Sequence, residues 1–210
     1  MVDNISQVDT DTVWLYVDWT PPDVTIDEPA NNSYVRAVTT IKVTINETNL
    51  DRCELLINGI STYNWTTNGT QTYDWNTTNV TDGTYEIKVV AYDLAGNTNS
   101  TYILIIVDNT APSVVINAPA NDSYVSGIVT VNVTWGDANP DRCELYINNT
   151  LYYTWADSGT VTYDWNTSDE IDGIYVIEAR AYDLAGNSAN ASVTVIVDNT
   201  PPHVIITFPD

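Results

Sequence analysis

Shifted by 90 residues and laid over itself, this chain of 210 residues matches without a gap. Trp19–Asp108 against Asn109–Asp198 gives 45 identities in 90 pairs. Ala91-Tyr-Asp-Leu-Ala-Gly-Asn97 returns unchanged as Ala181 to Asn187, and Cys53, Trp65, Trp75 and Asp108 fall on Cys143, Trp155, Trp165 and Asp198. Half identity with no insertion means one structural unit used twice, and a repeat of this kind decides the fold before any local pattern does. Each copy is large enough for a core of its own. The boundaries read as 1–18 for the last strand of a truncated preceding repeat, 19–108 and 109–198 for two full repeats, and 199–210 for the first strand of a truncated following one.

Within a repeat the apolar residues alternate over short runs. Thr40-Ile-Lys-Val-Thr-Ile-Asn46 puts Ile41, Val43 and Ile45 on one face, and Arg52-Cys-Glu-Leu-Leu-Ile57 does the same with Cys53, Leu55 and Ile57. Asn58-Gly59 and Asp82-Gly83 mark tight turns between such runs. Seven runs per repeat, at 24–27, 40–46, 53–57, 60–65, 70–75, 85–93 and 101–107 in the first, with no helical period, predict all-β architecture: two tandem sandwiches of about seven strands each, end to end.

The inventory excludes several function classes. Six Lys and Arg against 28 Asp and Glu leave a formal charge of −22, unsuited to nucleic acid or to an anionic membrane surface. No apolar run is long enough for membrane insertion, and Met1-Val2-Asp3-Asn4 lacks the features of a signal peptide. The single histidine, His203, stands outside both full repeats, so neither a Ser-His-Asp site nor a histidine metal site can be built in a repeat. No phosphate-cradling glycine loop is present, and the chain reads as a non-enzyme that requires no cofactor. Cys53 and Cys143 occupy equivalent inward positions, one per repeat, so neither repeat can close a disulfide of its own; each reads as a buried thiol, with pairing between chains the alternative.

One resemblance is specific. Asp82-Gly-Thr-Tyr-Glu-Ile87 and Asp172-Gly-Ile-Tyr-Val-Ile177 resemble the tyrosine corner of immunoglobulin-like domains. Ile87 and Ile177 stand where the second cysteine of antibody domains would be, so apolar packing replaces that disulfide. The run from this corner through Ala-Tyr-Asp-Leu-Ala-Gly-Asn to Val-Asp-Asn-Thr-Ala-Pro is similar to the Ig-like repeats of prokaryotic surface proteins and adhesins, archaeal ones included. That resemblance implies an extracellular, cell-surface location and places the linker, B–C and F–G loops at one pole. Asp108, Asp137, Asp141, Asp183 and Asn187 then gather at the second pole, and Asp18, Glu47, Asp51, Asp93 and Asn97 at the first. Related adhesin repeats bind calcium at such joints, so these residues are candidate calcium ligands. Asp93 and Asp183 read equally as Asx-turn acceptors beside Gly96 and Gly186.

Two further signals remain. Thirteen asparagines stand in Asn-x-Ser/Thr: Asn4, Asn31, Asn46, Asn64, Asn68, Asn76, Asn79, Asn99, Asn121, Asn132, Asn148, Asn166 and Asn190. With 23 Asn and 41 Ser plus Thr, chance gives about 4 to 5, an excess that marks N-glycosylation or the Asn- and Thr-rich turns of a β protein. Trp65 and Trp155, on a hairpin strand beside Tyr63 or Tyr152 and Tyr153, are candidate exposed aromatics for stacking on sugar, or else core packing. The function expected is a spacer segment of a large surface protein, a semi-rigid rod whose partners are its neighbouring repeats. The alternatives are an adhesin binding cell-surface glycans or proteins, and a filament subunit that self-associates by donating the strand Thr12–Val17.

Overall fold

The computed structural model describes residues 17–206, and within them the chain is all-β. Asn4 and all of the strand Thr12–Val17 except Val17 lie outside the described residues. The first repeat forms β1 (Asp23–Glu28), β2 (Tyr34–Val35), β3 (Val38–Asn46), β4 (Leu50–Ile57), β5 (Ile60–Trp65), β6 (Gly69–Asn76), β7 (Gly83–Asp93) and β8 (Thr98–Val107). The second forms β9 (Ser113–Ala118), β10 (Ser123–Val125), β11 (Ile128–Gly136), β12 (Pro140–Ile147), β13 (Thr150–Trp155), β14 (Gly159–Asn166), β15 (Gly173–Asp183) and β16 (Ser188–Val197). Each repeat stacks a three-stranded sheet on a five-stranded one: β1-β3-β6 with β2-β8-β7-β4-β5, and β9-β11-β14 with β10-β16-β15-β12-β13.

The alternating positions supply the core, because one face of every strand must leave water. Ile41, Val43 and Ile45 from β3 are buried, as are Cys53 and Leu55 from β4 and Ile87, Val89 and Ala91 from β7. The second core repeats this arrangement with Val131, Val133 and Trp135, then Cys143 and Leu145, then Ile177, Ala179 and Ala181. Both cysteines are free and buried, and Ile87 and Ile177 fill the inter-sheet space as expected. The tyrosine corners form: the Tyr85 hydroxyl donates to the Thr81 carbonyl at 2.9 Å and that of Tyr175 to Ile171 at 3.0 Å. The hairpin turn at Asn58-Gly59 has the left-handed φ values of a type I′ turn, 49° and 75°.

The sandwiches form as expected, and each gains one short strand beyond the seven runs, because β2 and β10 pair in parallel with β8 and β16. After β1 and β9 the chain crosses to the other sheet, and strands of two or three residues are too short to show a period. Asparagine secures the crossing: Asn31 Oδ1 accepts the Leu104 N–H at 2.9 Å, and Asn121 Oδ1 that of Thr194 at 2.8 Å. There is also one turn of 3-10 helix, Thr77–Asn79, whose first free N–H is capped by Asn76.

Packing divides the described residues into two compact units that cut across the repeats. One is built on Thr40–Tyr73 and Glu86–Ile103; the other takes Asn31–Thr39, Asp74–Tyr85 and the chain from Leu104 onward. Pro201 to Ile206 carry no strand, and His203 among them is exposed.

Candidate functional site

The residues that close each repeat are held by a polar clamp assembled from three short segments. After β8, the Asn109 N–H donates to Asp82 Oδ1 at 2.9 Å and the Thr110 hydroxyl to Asp82 Oδ2 at 2.6 Å. Asn109 Nδ2 donates to the Thr77 carbonyl at 3.2 Å, while its Oδ1 accepts the Ala37 N–H at 2.8 Å. After β16 the Asn199 N–H donates to Asp172 at 2.7 Å, the Thr200 hydroxyl bonds the same carboxylate, and Asn199 Nδ2 reaches the Thr167 carbonyl at 2.8 Å. Asp-Gly at the turn and Asp-Asn-Thr after the last strand are therefore two halves of one device. The bonds from the Thr110 hydroxyl and the Asn109 backbone hold the Asp82 carboxyl below its ordinary value; Thr200 and Asn199 do the same to Asp172.

The pole opposite this clamp collects carboxylates. Asp18, Glu47 and Asp93 bring ligand-capable oxygens within 4.8 Å of one another, and so do Asp108, Asp137 and Asp183. The two groups stand on equivalent positions of the repeat, each within a single compact unit. Asp108 and Asp183 are 2% and 3% exposed. Asn187 ties them together: its N–H donates to Asp183 Oδ1 at 2.7 Å, and its Nδ2 to Asp183 Oδ2 at 2.7 Å and to the Asp108 carbonyl at 2.9 Å. Asn97 makes the same bonds to Asp93 and to the Asp18 carbonyl. Burial works to raise the Asp93 pKa, but the Asn97 side chain and the backbone N–H groups of Asn97, Ala95 and Gly96 outweigh it, and the carboxyl sits below its ordinary value. Asx-turn geometry and convergence of carboxylates are thus both present at the same residues.

Sequence reasoning placed Asp51 and Asp141 in these groups, and the structure does not bring them in. Each is turned to the next residue in the chain, with Arg52 and Arg142 both at 2.6 Å. It passed over Asn49 and Asn139. Asn139 donates its N–H to Asp137 at 2.8 Å and its amide to Asp108 at 2.9 Å, and Asn49 bonds Glu47 and Asp18 in the same way. The available signal was an Asn retained at one loop position while Thr48 and Leu50 became Ala138 and Pro140.

Of the two readings of Trp65 and Trp155, core packing is the one the structure adopts. These side chains are 5% and 8% exposed. The edge strands β5 and β13 are bulged against Leu55/Leu56 and Leu145/Tyr146, and past the bulge Trp65 pairs with Cys53 and Trp155 with Cys143 on the core face. Tyr63 and Tyr153 are the exposed rings, packed edge-on against those tryptophans at 5.4 and 5.5 Å. Of the sequon asparagines within the described residues, all but the half-buried Asn132 are exposed.

The model of the bacterial Ig domain matches residues 22–89 and again 112–179, more than half of the chain and one match in each repeat. The chain belongs to the bacterial Ig domain family. A second model, the bacterial Ig-like domain of group 3, matches 69–145, across the end of one bacterial Ig repeat and the start of the next. Among solved structures, the fibronectin(III)-like modules of Clostridium thermocellum CbhA share 19% identity at a TM-score of 0.57, over 88% of this chain and 100% of that one. An I-band fragment of titin gives 14% identity and 0.56, over 86% of this chain and 66% of that one. These likenesses support the sandwich fold of the bacterial Ig repeats and nothing finer. No curated protein matches the chain. No helix among the described residues is long and apolar enough to cross a membrane.

Proposed function

We propose that this chain is a spacer segment of an extracellular surface protein, with bacterial Ig repeats held at fixed spacing by hydrogen-bonded linkers. The observation that carries the reading is the clamp of Asp82 on Asn109 and Thr110, rebuilt at Asp172 on Asn199 and Thr200. A chain leaving a sandwich as a free tether samples many directions, whereas three to four hydrogen bonds on two consecutive residues, at about 1 kcal/mol each, select one. Pro112 and Pro201-Pro202 fix their own φ and restrict the residues before them. The proposed role is mechanical and non-catalytic. It is tested by spin labels at the exposed Thr72→Cys and Thr162→Cys positions, equivalent in the two repeats. A narrow distance distribution that broadens in Asp82→Ala is expected; a distribution already broad in the parent chain overturns the spacer reading.

Calcium at the poles is a second reading, favoured by one observation. The same three-carboxylate grouping forms from equivalent positions in both repeats, and among the described residues no Lys or Arg forms an ion pair with it. Oxygen donors from several loops suit a hard ion that accepts irregular geometry. At a concentration 100 times Kd, such an ion adds about 2.7 kcal/mol to the stability of the folded state. Millimolar calcium should therefore raise the melting temperature, EGTA should reverse the rise, and Asp137→Asn combined with Glu47→Gln should remove it. An unchanged melting temperature in the parent chain overturns the reading.

A further inference from the structure

The excess of sequons has a structural explanation for some asparagines and none for others, and the second sandwich separates the two groups. Asn76 and Asn166 both cap the turn after their strand, with Oδ1 accepting the N–H of Thr78 and of Ser168 at 3.1 Å. Asn31 and Asn121 both secure the crossing into the five-stranded sheet. Asn148 accepts the Val176 N–H at 2.9 Å, and its counterpart Asn58 accepts that of Glu86 at 2.8 Å without being a sequon at all. At these positions the fold asks for asparagine, and the downstream Ser or Thr adds nothing to the argument.

Asn46, Asn64 and Asn79 behave differently. All three are exposed, and their side chains make no hydrogen bond to any described residue. Their counterparts are Gly136, Thr154 and Asp169, so an equivalent sandwich forms with no asparagine at any of the three places. Local preference does not account for them either. Asn64 lies within β5, where asparagine is a poor strand former, and Asn46 ends β3. What the three share is Thr two residues on: Thr48, Thr66 and Thr81.

We propose that Asn46, Asn64 and Asn79 are N-glycan attachment sites. The acceptor is the amide Nδ2, on an exposed residue at each position and with no hydrogen bond to any described residue. The donor is an oligosaccharide carried on a polyisoprenyl phosphate or pyrophosphate, supplied with its transferase by the export route. The new bond joins Nδ2 to the anomeric carbon; the carbon–oxygen bond to the carrier phosphate breaks, and the amide gives up one proton. Asn64 shows what a glycan would do there. Among the described residues it lies on an edge strand whose outer N–H and C=O groups are a template for another chain, and a hydrated sugar on that edge blocks pairing without touching the core.

The inference rests on the extracellular placement in the proposed function, and the experiment keeps the two apart. The parent protein is taken from its native source, digested and read by tandem mass spectrometry for peptides containing the three asparagines, while intact cells are treated with an impermeant label to establish exposure. Sugar-bearing peptides at all three positions are expected, with loss of the corresponding mass in Asn46→Gln, Asn64→Gln and Asn79→Gln variants made in that source. Because none of the three side chains has a hydrogen-bond partner among the described residues, the variants should fold with unchanged melting temperature when produced without glycan. Unmodified peptides from a chain that the label does reach overturn the glycosylation proposal alone; a chain that the label never reaches overturns both.

Discussion

At the scale of single residues, burial decides chemistry. Cys53 and Cys143 are nucleophiles by composition, but desolvation pushes the first thiol up to about 11 and the second to about 12. At pH 8 neither is a thiolate, so Ellman's reagent should find no reactive thiol in the native chain and two after denaturation; rapid native reaction would show that one core opens easily. Tyr85 makes the opposite point, since one polar atom at the end of an apolar ring joins the corner to its strand. Tyr85→Phe keeps the ring against Trp75, with centroids 5.3 Å apart, and loses only the bond to Thr81. We expect a loss of about 1 kcal/mol in urea unfolding, visible as a lower midpoint at unchanged m.

At the scale of elements, alternation made the strands legible and local irregularity hid their consequences. Ile41, Val43 and Ile45 were assigned inward from period alone, and they are buried. Trp65 was legible only as core or exposed, because its face depends on a bulge between Leu55 and Leu56, and one extra residue moves every later side chain to the other face. The strands β2 and β10 were invisible for a different reason. Their ladders exist only because β8 and β16 run beside them, and two or three residues contain no pattern of their own. The poles divide similarly. Asp93 and Asn97 belong to the repeated Ala-Tyr-Asp-Leu-Ala-Gly-Asn and were found; Asp51 was misplaced because a carboxylate beside an arginine in sequence is drawn to it at 2.6 Å instead.

At the scale of the whole molecule, charge and clamp oppose each other as pH falls. At neutral pH the formal charge of −22 destabilises the compact chain by self-repulsion, and protonating exposed carboxylates relieves it. Asp82 and Asp172 work the other way. Their folded pKa values lie below the ordinary 3.8, so their contribution is complete above that value and is lost as pH drops through the lower folded ones. Glu178 adds to this, since the hydrogen bond from the Arg180 guanidinium lowers its pKa. Stability measured by thermal melting should hold or rise on mild acidification, then fall below about pH 4. Asp82→Asn with Asp172→Asn should flatten the acid limb; an unchanged limb would show that the clamps contribute no acid-sensitive stability.

The amino-acid order alone determined that the chain is a duplicated β unit with apolar faces at alternate positions, since gapless identity and a period of two are one-dimensional properties. It also marked the thiols as inward and the charge as unsuited to nucleic acid. Which carboxylates meet, which tryptophans are covered, and which sequon asparagines the fold already uses were decided only in three dimensions. Those outcomes depend on distances between segments tens of residues apart and on bulges that reset a strand's face, neither of which is written in the spacing of residues along the chain.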